Sequence, residues 1–181
     1  MNIKENILSY SVFKNIQAKV FDDAVPWYYT DTTALIEENN LLMDNSFNHM
    51  VFRDGRPTSP LFDGIVFAFL DCLDKTNQQL KEILRIKIGL ITATENTFVH
   101  KPHIDFDLPH QTALLYLNST DGDTIFYKEK LGDNIDNVLT ITDRVTPEEN
   151  KFVYFDGLTY HSSSTPTNSK RRVVINFNYT I

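Results

Sequence analysis

From Arg85 to Tyr179 the chain is a succession of short apolar or alternating runs cut apart by turn residues, and this punctuation limits the ways it can bury itself. The runs are RIKIGLIT from Arg85, Ala113 to Asn118, Ile125 to Lys128, Val138 to Ile141, Phe152 to Phe155 and Val173 to Tyr179. Between them stand Asp121-Gly122-Asp123, Leu131-Gly132-Asp133-Asn134, Pro147, Asp156-Gly157 and Pro166. Short strands spaced in this way predict a sandwich or jelly-roll, of which the cupin-like double-stranded β-helix is the version that holds metals.

Two runs also say which face is buried against what. Ile86, Ile88 and Leu90 alternate with Arg85, Lys87 and Gly89. In the last run Val173, Ile175, Phe177 and Tyr179 share one parity, and Arg172, Val174, Asn176 and Asn178 share the other. The apolar set is expected to pack outward on helices, and the mixed set to face a cavity that accepts polar groups.

The helices are expected in the first half. Ser9 to Phe21 has apolar residues at helical spacing, with Ser9 or Ser11 as a cap. Ser59-Pro60 opens a longer helical stretch, about Leu61 to Ile83, that Thr76-Asn77 can split. Trp27-Tyr28-Tyr29 reads as an extended piece of core, Leu41, Leu42 and Met43 as buried positions, and His49 as a structural histidine. The expected class is α+β: an all-β double-stranded β-helix core with helices on one sheet. The 181 residues are read as one domain, with 1–84 a helical flank plus first strands and 85–181 the jelly-roll core.

Lysine and arginine number 17 against 24 acidic residues, a formal charge of −7. That balance gives no general affinity for phosphate backbones, so nucleic acid is a disfavoured partner. The single cysteine, Cys72, lies inside an apolar run and reads as a buried thiol, which fits a reducing compartment. No secretory leader and no membrane-spanning run is read from the sequence, and the expected location is cytoplasmic, the host cytoplasm if the chain is viral.

The chemistry concentrates in HKPHIDFD, His100 to Asp107. In an extended segment His103 and Asp105 point to one side, and an isolated His161 follows the Phe152 to Phe155 run. Two neutral imidazoles and a carboxylate form the facial triad of non-haem iron sites. A His-x-Asp triplet alone is weak, and surface turns produce many. Asp107 is a rival carboxylate, while His100 and His110 fall at the wrong parity or after a turn and read as non-ligands. Thr112, Leu114, Tyr116 and Asn118 share a face, which makes Tyr116 a candidate hydroxyl for a bound carboxylate.

Taken together, these residues resemble the iron(II)- and 2-oxoglutarate-dependent dioxygenases, in the prolyl-hydroxylase-like branch with its short phage-type members. The similarity runs through Pro102-His103-Ile104-Asp105, Tyr116-Leu117-Asn118, Asp121-Gly122-Asp123-Thr124, His161 and Arg171 to Asn178, with Pro26 to Tyr29 and His49 to Pro60 upstream. The resemblance implies iron ligands at His103, Asp105 and His161, and a basic residue for the distal carboxylate of 2-oxoglutarate at Arg171 or Arg172. Strand parity aims Arg172 inward, with Tyr116 and Asn118 as further co-substrate contacts. It also implies Fe(II), 2-oxoglutarate and O2, with ascorbate as an accessory reductant, and a hydroxylase whose substrate stays open among peptidyl proline, another protein side chain, a free metabolite or other small molecule, and a nucleobase. The chain departs from the branch in carrying Asp123 where Glu is common and Val174 where a small polar residue is common. The alternatives are a non-catalytic cupin-like metal- or ligand-binding module and a zinc hydrolase using the same three donors. Residues 96–101 and 132–137 are candidate substrate loops.

Overall fold

The computed structural model describes residues 1–31, 44–133 and 138–181. In chain order its elements are β1 (Asn2–Lys4), α1 (Tyr10–Val20), β2 (Tyr28–Thr30), β3 (Ser46–Arg53), β4 (Arg56–Pro57), α2 (Phe62–Lys75), β5 (Glu82–Thr92), β6 (Gln111–Tyr116), β7 (Thr124–Lys130), β8 (Ile141–Val145), β9 (Phe152–Asp156), β10 (Thr159–Ser163) and β11 (Arg171–Thr180). An eight-stranded sheet runs β1-β9-β6-β11-β5-β3-β2, with β4 paired to β3, and a three-stranded sheet runs β10-β7-β8. All the paired strands are antiparallel. This is the double-stranded β-helix with helices on one sheet that the strand spacing predicts.

The large sheet separates two cores. Its outer face carries Ile86, Ile88, Val173, Ile175, Phe177 and Tyr179, which pack with Phe13, Ile16 and Val20 of α1 and Ile65, Phe69, Cys72 and Leu73 of α2. Phe69 stacks on Phe177 with ring centroids 4.2 Å apart. Cys72 is buried there, and burial pushes its thiol up to about 12. The inner face carries Leu114, Tyr116, Val153, Phe155 and Val174 against Phe126 and Val145 of the small sheet. The parity reading of β5 and β11 therefore holds residue by residue.

Several local expectations fail for identifiable reasons. The second helix ends at Lys75 instead of continuing to Ile83, because Asn77 takes a left-handed φ of 53° and the Thr76 hydroxyl donates to the Cys72 carbonyl. Ile83 and Leu84 then enter β5. Tyr28 and Tyr29 are 63% and 57% exposed on the edge strand β2, so only Trp27 of that trio packs on the core. The run expected from Val138 forms a strand only from Ile141 onward, with Val138 exposed. Leu41, Leu42 and Met43 lie outside the described residues, as do 134–137 of one candidate loop. His49 is structural: its ring nitrogens meet the Pro26 carbonyl at 2.8 Å and Ser59 Oγ at 2.7 Å. Among the described residues no helix is long and apolar enough to cross a membrane.

Candidate metal centre

His103 and His161 are brought together by the backbone. The two residues form an isolated antiparallel bridge in which each amide donates to the other's carbonyl, at 2.9 and 3.0 Å. Residues directly opposite in such a pair project to the same side. Their ring centroids lie 4.7 Å apart. Asp105, two residues after His103, joins them, and its Oδ2 is 3.8 Å from His161 Nε2. One donor atom from each of the three lies within 4.8 Å of the others.

The protonation pattern suits a metal. His103 Nδ1 donates to the Lys101 carbonyl at 3.2 Å and His161 Nδ1 to the Thr159 carbonyl at 3.1 Å. That arrangement sets the tautomer that leaves both Nε2 lone pairs for the ion. Burial, and then the neighbouring His161, push the His103 imidazole down to about 4. Burial likewise depresses His161. For Asp105 burial acts upward, but Arg85, His161 and His103 outweigh it and hold the carboxyl well below the usual range. Two neutral imidazoles and one carboxylate, all on one side, fit a ferrous ion with its opposite positions open.

Asp105 is fixed by residues whose roles the sequence does not announce. Arg85 Nη2 donates to Oδ1 at 2.5 Å, and the Asn176 and Asn178 amides donate to Oδ2 at 3.1 and 2.9 Å. Arg85 Nε is in turn held by Asn178 Oδ1 at 3.1 Å, and Asn178 also reaches Thr112 Oγ1 at 3.0 Å. The only sequence signal for this set is parity: Arg85, Asn176 and Asn178 all belong to the polar rows of β5 and β11. The rival Asp107 is exposed, and His110 is turned away onto the Leu108 carbonyl. His100 gives Nδ1 to the Ser163 carbonyl and is not within the donor group.

The cavity beside the triad is lined by His103, His161, Lys87, Asn176, Thr124 and Arg172, among others. Arg172 is buried, donating from Nε to the Gly122 carbonyl at 2.9 Å and from Nη2 to Thr124 Oγ1 at 2.7 Å. Tyr116 lies under it, its ring centroid 5.6 Å from the guanidinium and its hydroxyl on Thr124 Oγ1 at 2.7 Å. Among the described residues no carboxylate is within ion-pair distance of this guanidinium. The Asp121 to Thr124 stretch is the floor of this corner. Asp121 accepts from the amides of Thr167 and Asn168, and a Cβ at Gly122 would sit 2.7 Å from the Ser164 carbonyl. Only glycine permits that approach.

Arg171 and Asn118 are not brought to the cavity. Arg171 is exposed and stacks over Phe21, 4.4 Å from the ring centroid. Asn118 spends its amide on β11, donating to the Arg171 carbonyl and accepting from the Val173 amide, each at 2.8 Å. A side chain expected to touch a co-substrate instead clips two strands together, because its row lies beyond the end of β6.

No protein-family model and no curated protein matches the sequence. Solved structures do. A Pseudomonas putida prolyl-4-hydroxylase is similar at a TM-score of 0.60 and 12% identity, over 99% of this chain and 92% of that one. A prolyl hydroxylase from Trichoplax adhaerens, in complex with a hypoxia inducible factor peptide, gives 0.62 and 14%, over 99% and 82%. HygX from Streptomyces hygroscopicus, with nickel and 2-oxoglutarate bound, gives 0.63 and 13%, over 98% and 81%. The fold is that of the 2-oxoglutarate–Fe(II) oxygenases. Within this fold His103 and His161 of the donor triad line one cavity with the buried Arg172.

Proposed function

We propose that the protein is an Fe(II)- and 2-oxoglutarate-dependent dioxygenase, a hydroxylase in which residues 1–181 act as one domain. His103, Asp105 and His161 are the residues that would hold Fe(II). Arg172, backed by Tyr116 and Thr124, would take the distal carboxylate of 2-oxoglutarate as a forked, charge-assisted pair. The observation that carries this reading is a buried guanidinium, with no carboxylate partner among the described residues, lining one cavity with two imidazoles that share a donor group with Asp105. Such a guanidinium needs an anion, and a zinc hydrolase built on the same triad would leave it without one.

With metal and co-substrate in place the chemistry supplied is oxidation: a substrate C–H bond and O2 become C–OH, while 2-oxoglutarate gives succinate and CO2. The chain's own residues position and shield. Arg85, Asn176 and Asn178 keep Asp105 ionised and aimed. Phe126 and Phe155 pack around His161, with Phe155 edge-on to the imidazole at 5.0 Å and Phe126 at 6.5 Å between centroids, and hold water away from that ligand. The primary substrate is a protein side chain or small molecule; two of the similar structures are prolyl hydroxylases by name. The lone buried thiol suits a reducing cytoplasm, in which ferrous iron also persists.

Anaerobic addition of Fe(II) and 2-oxoglutarate should give the weak visible charge-transfer band of a chelated keto acid, and His161→Ala should abolish it. Admission of O2 should then release succinate. A wild-type protein that gives no band overturns the oxygenase reading, and a band without succinate under any substrate pool points to the non-catalytic binding module.

A further inference from the structure

The cavity holds a second cation that neither the triad nor the Arg172 corner uses. Lys87 of β5 stands in register with Asn176 of β11, and both line the cavity. Asn176 touches Asp105 at 3.1 Å, so this row is level with the metal ligands. Arg172 stands four residues away along β11, about 13 Å at the rise of a strand, opposite Ile91. A five-carbon diacid reaching from the metal ligands to Arg172 would lie along the rows that lead away from Asn176, with Lys87 beside its metal-ligand end.

Among the described residues no carboxylate lies within ion-pair distance of Lys87, and its ammonium has no hydrogen bond. The nearby carboxylate, Asp105, is already taken by Arg85, Asn176 and Asn178. Burial, and then the charge of Arg85, pull the lysine below its ordinary value, and Asp105 opposes them. Arg85 and Lys87 thus face one carboxylate, Asp105, while Arg172 has Asp123 within electrostatic reach. A ferrous ion would add two positive charges and the 2-oxoglutarate dianion would return two, so the excess of Arg85 and Lys87 over Asp105 would persist with both bound.

Two neighbours describe what Lys87 would receive. Asn176 Oδ1 is buried and has no hydrogen-bond partner, so beside the cation lies an acceptor awaiting a donor. Gly89 stands between the Lys87 and Arg172 rows, and a Cβ there would meet Asn48 Oδ1 and Val174 Cγ1 only at 3.9 Å. Packing does not demand glycine here; the missing side chain is space.

We propose that Lys87 is the specificity-determining residue for the primary substrate, a small carboxylic acid that also bears an amino or hydroxyl group. Its carboxylate sits on the Lys87 ammonium and its donor on Asn176 Oδ1, which sets an adjacent C–H bond toward the metal ligands. The chain's charge of −7 opposes polyanions at long range and favours such a small ligand. The proposal rests on the oxygenase reading for the word substrate, but the anion site stands on the cavity alone.

The test uses the full chain loaded with Zn(II), which occupies the donors without turnover, and saturated with 2-oxoglutarate. Free L-amino acids, 2-hydroxy acids, the corresponding amides and methyl phosphate are titrated calorimetrically into wild type, Lys87→Met and Arg172→Met. The expected result is at least one acid that binds wild type, binds about tenfold or more weakly as its amide, and is lost by about tenfold in Lys87→Met. In that variant 2-oxoglutarate affinity holds within about twofold, whereas Arg172→Met loses it. If Lys87→Met weakens 2-oxoglutarate as much as Arg172→Met does, Lys87 belongs to the co-substrate and the proposal is overturned. Equal binding of acid and amide, a preference for methyl phosphate over every carboxylate, or no binding from the panel also overturns it. If wild type takes up neither zinc nor 2-oxoglutarate, the oxygenase reading fails separately. The anion site is then judged by the Cε resonance of Lys87 in lysine-labelled protein, which must shift with the acids and not with their amides; the same measurement decides the matter if Lys87→Met does not fold.

Discussion

The two faces of β11 have different chemistries although they alternate along one strand. Outward, Val173, Ile175, Phe177 and Tyr179 are buried against the two helices, and each contributes mainly volume. Inward, Arg172, Asn176 and Asn178 each hold a specific partner: Thr124, Asp105 and, for Asn178, Arg85 and Thr112 as well. One face supplies stability in a currency that many apolar residues share. The other draws on that rigidity to keep polar groups where a metal and an acid can use them. Phe177→Ala should therefore lose about 3–5 kcal/mol of folding stability by thermal or chemical denaturation, while the fraction still folded in the cold keeps the Fe(II)–2-oxoglutarate band. A loss of the band at unchanged stability would erase the distinction between the faces.

Acid should separate the faces next, since the groups that titrate below neutrality lie on the inner one. His103 binds a proton at about 6.5 when unfolded and only at about 4 when folded. Above about 6.5 neither state is protonated there, and the full stability is present. As pH falls from about 6.5 to about 4 the unfolded chain takes up the proton first, so metal-free stability declines through that window, by on the order of 3 kcal/mol. Asp105, depressed well below its usual value, adds a further loss that begins only as pH falls through the ordinary aspartate range. Unfolding free energies of metal-free protein between about pH 8 and pH 4 would show this slope. His103→Leu should flatten its upper part, and a profile equally steep in that variant would assign the slope elsewhere.

A smaller effect is expected from the groups that aim the ligands. Asn178→Ala takes one hydrogen bond from Asp105 Oδ2 and frees Arg85 Nε. Metal affinity should fall about 10–100-fold, measured by Co(II) or Zn(II) titration. The residual site should retain all three ligands, so that raising the metal concentration restores 2-oxoglutarate binding. Failure to recover at any metal concentration would mean that Asn178 holds the triad together instead of tuning it.

The same contrast explains what was legible in the sequence. Alternation exposed β5 and β11 and the sides they present, because a period of two survives in the residue types themselves. The triad was visible because His103 and Asp105 are two apart and His161 follows a distinctive run. Arg85, Asn176 and Asn178 show in the sequence only as members of polar rows, since what they touch comes from three segments folded together. Asn118 carries the same parity signal. It belongs to the correct row of the β6 run, but it lies past the last residue of the strand, where its amide ties β11. Tyr28 and Tyr29 look like core by composition and are exposed because β2 ends a sheet, which no local pattern reports.

The finest version of the comparison lies between adjacent arginines. Arg171 and Arg172 are chemically identical and sit on opposite faces of the same strand end. Arg171 covers Phe21 in solvent, where a cation–π contact contributes about 0.5–1 kcal/mol. Arg172 is buried on Gly122 and Thr124. Arg171→Ala should then shift the melting temperature by only a few degrees and leave 2-oxoglutarate affinity unchanged. Arg172→Ala should lower that affinity by more than about tenfold, since a charged hydrogen-bonding pair is removed. Equal losses would mean that the co-substrate spans the strand end and touches both residues. A loss confined to Arg171→Ala would place the carboxylate site on the solvent side, against the burial and the hydrogen bonds of Arg172, and would detach the oxygenase reading from its co-substrate pocket while leaving the triad in place.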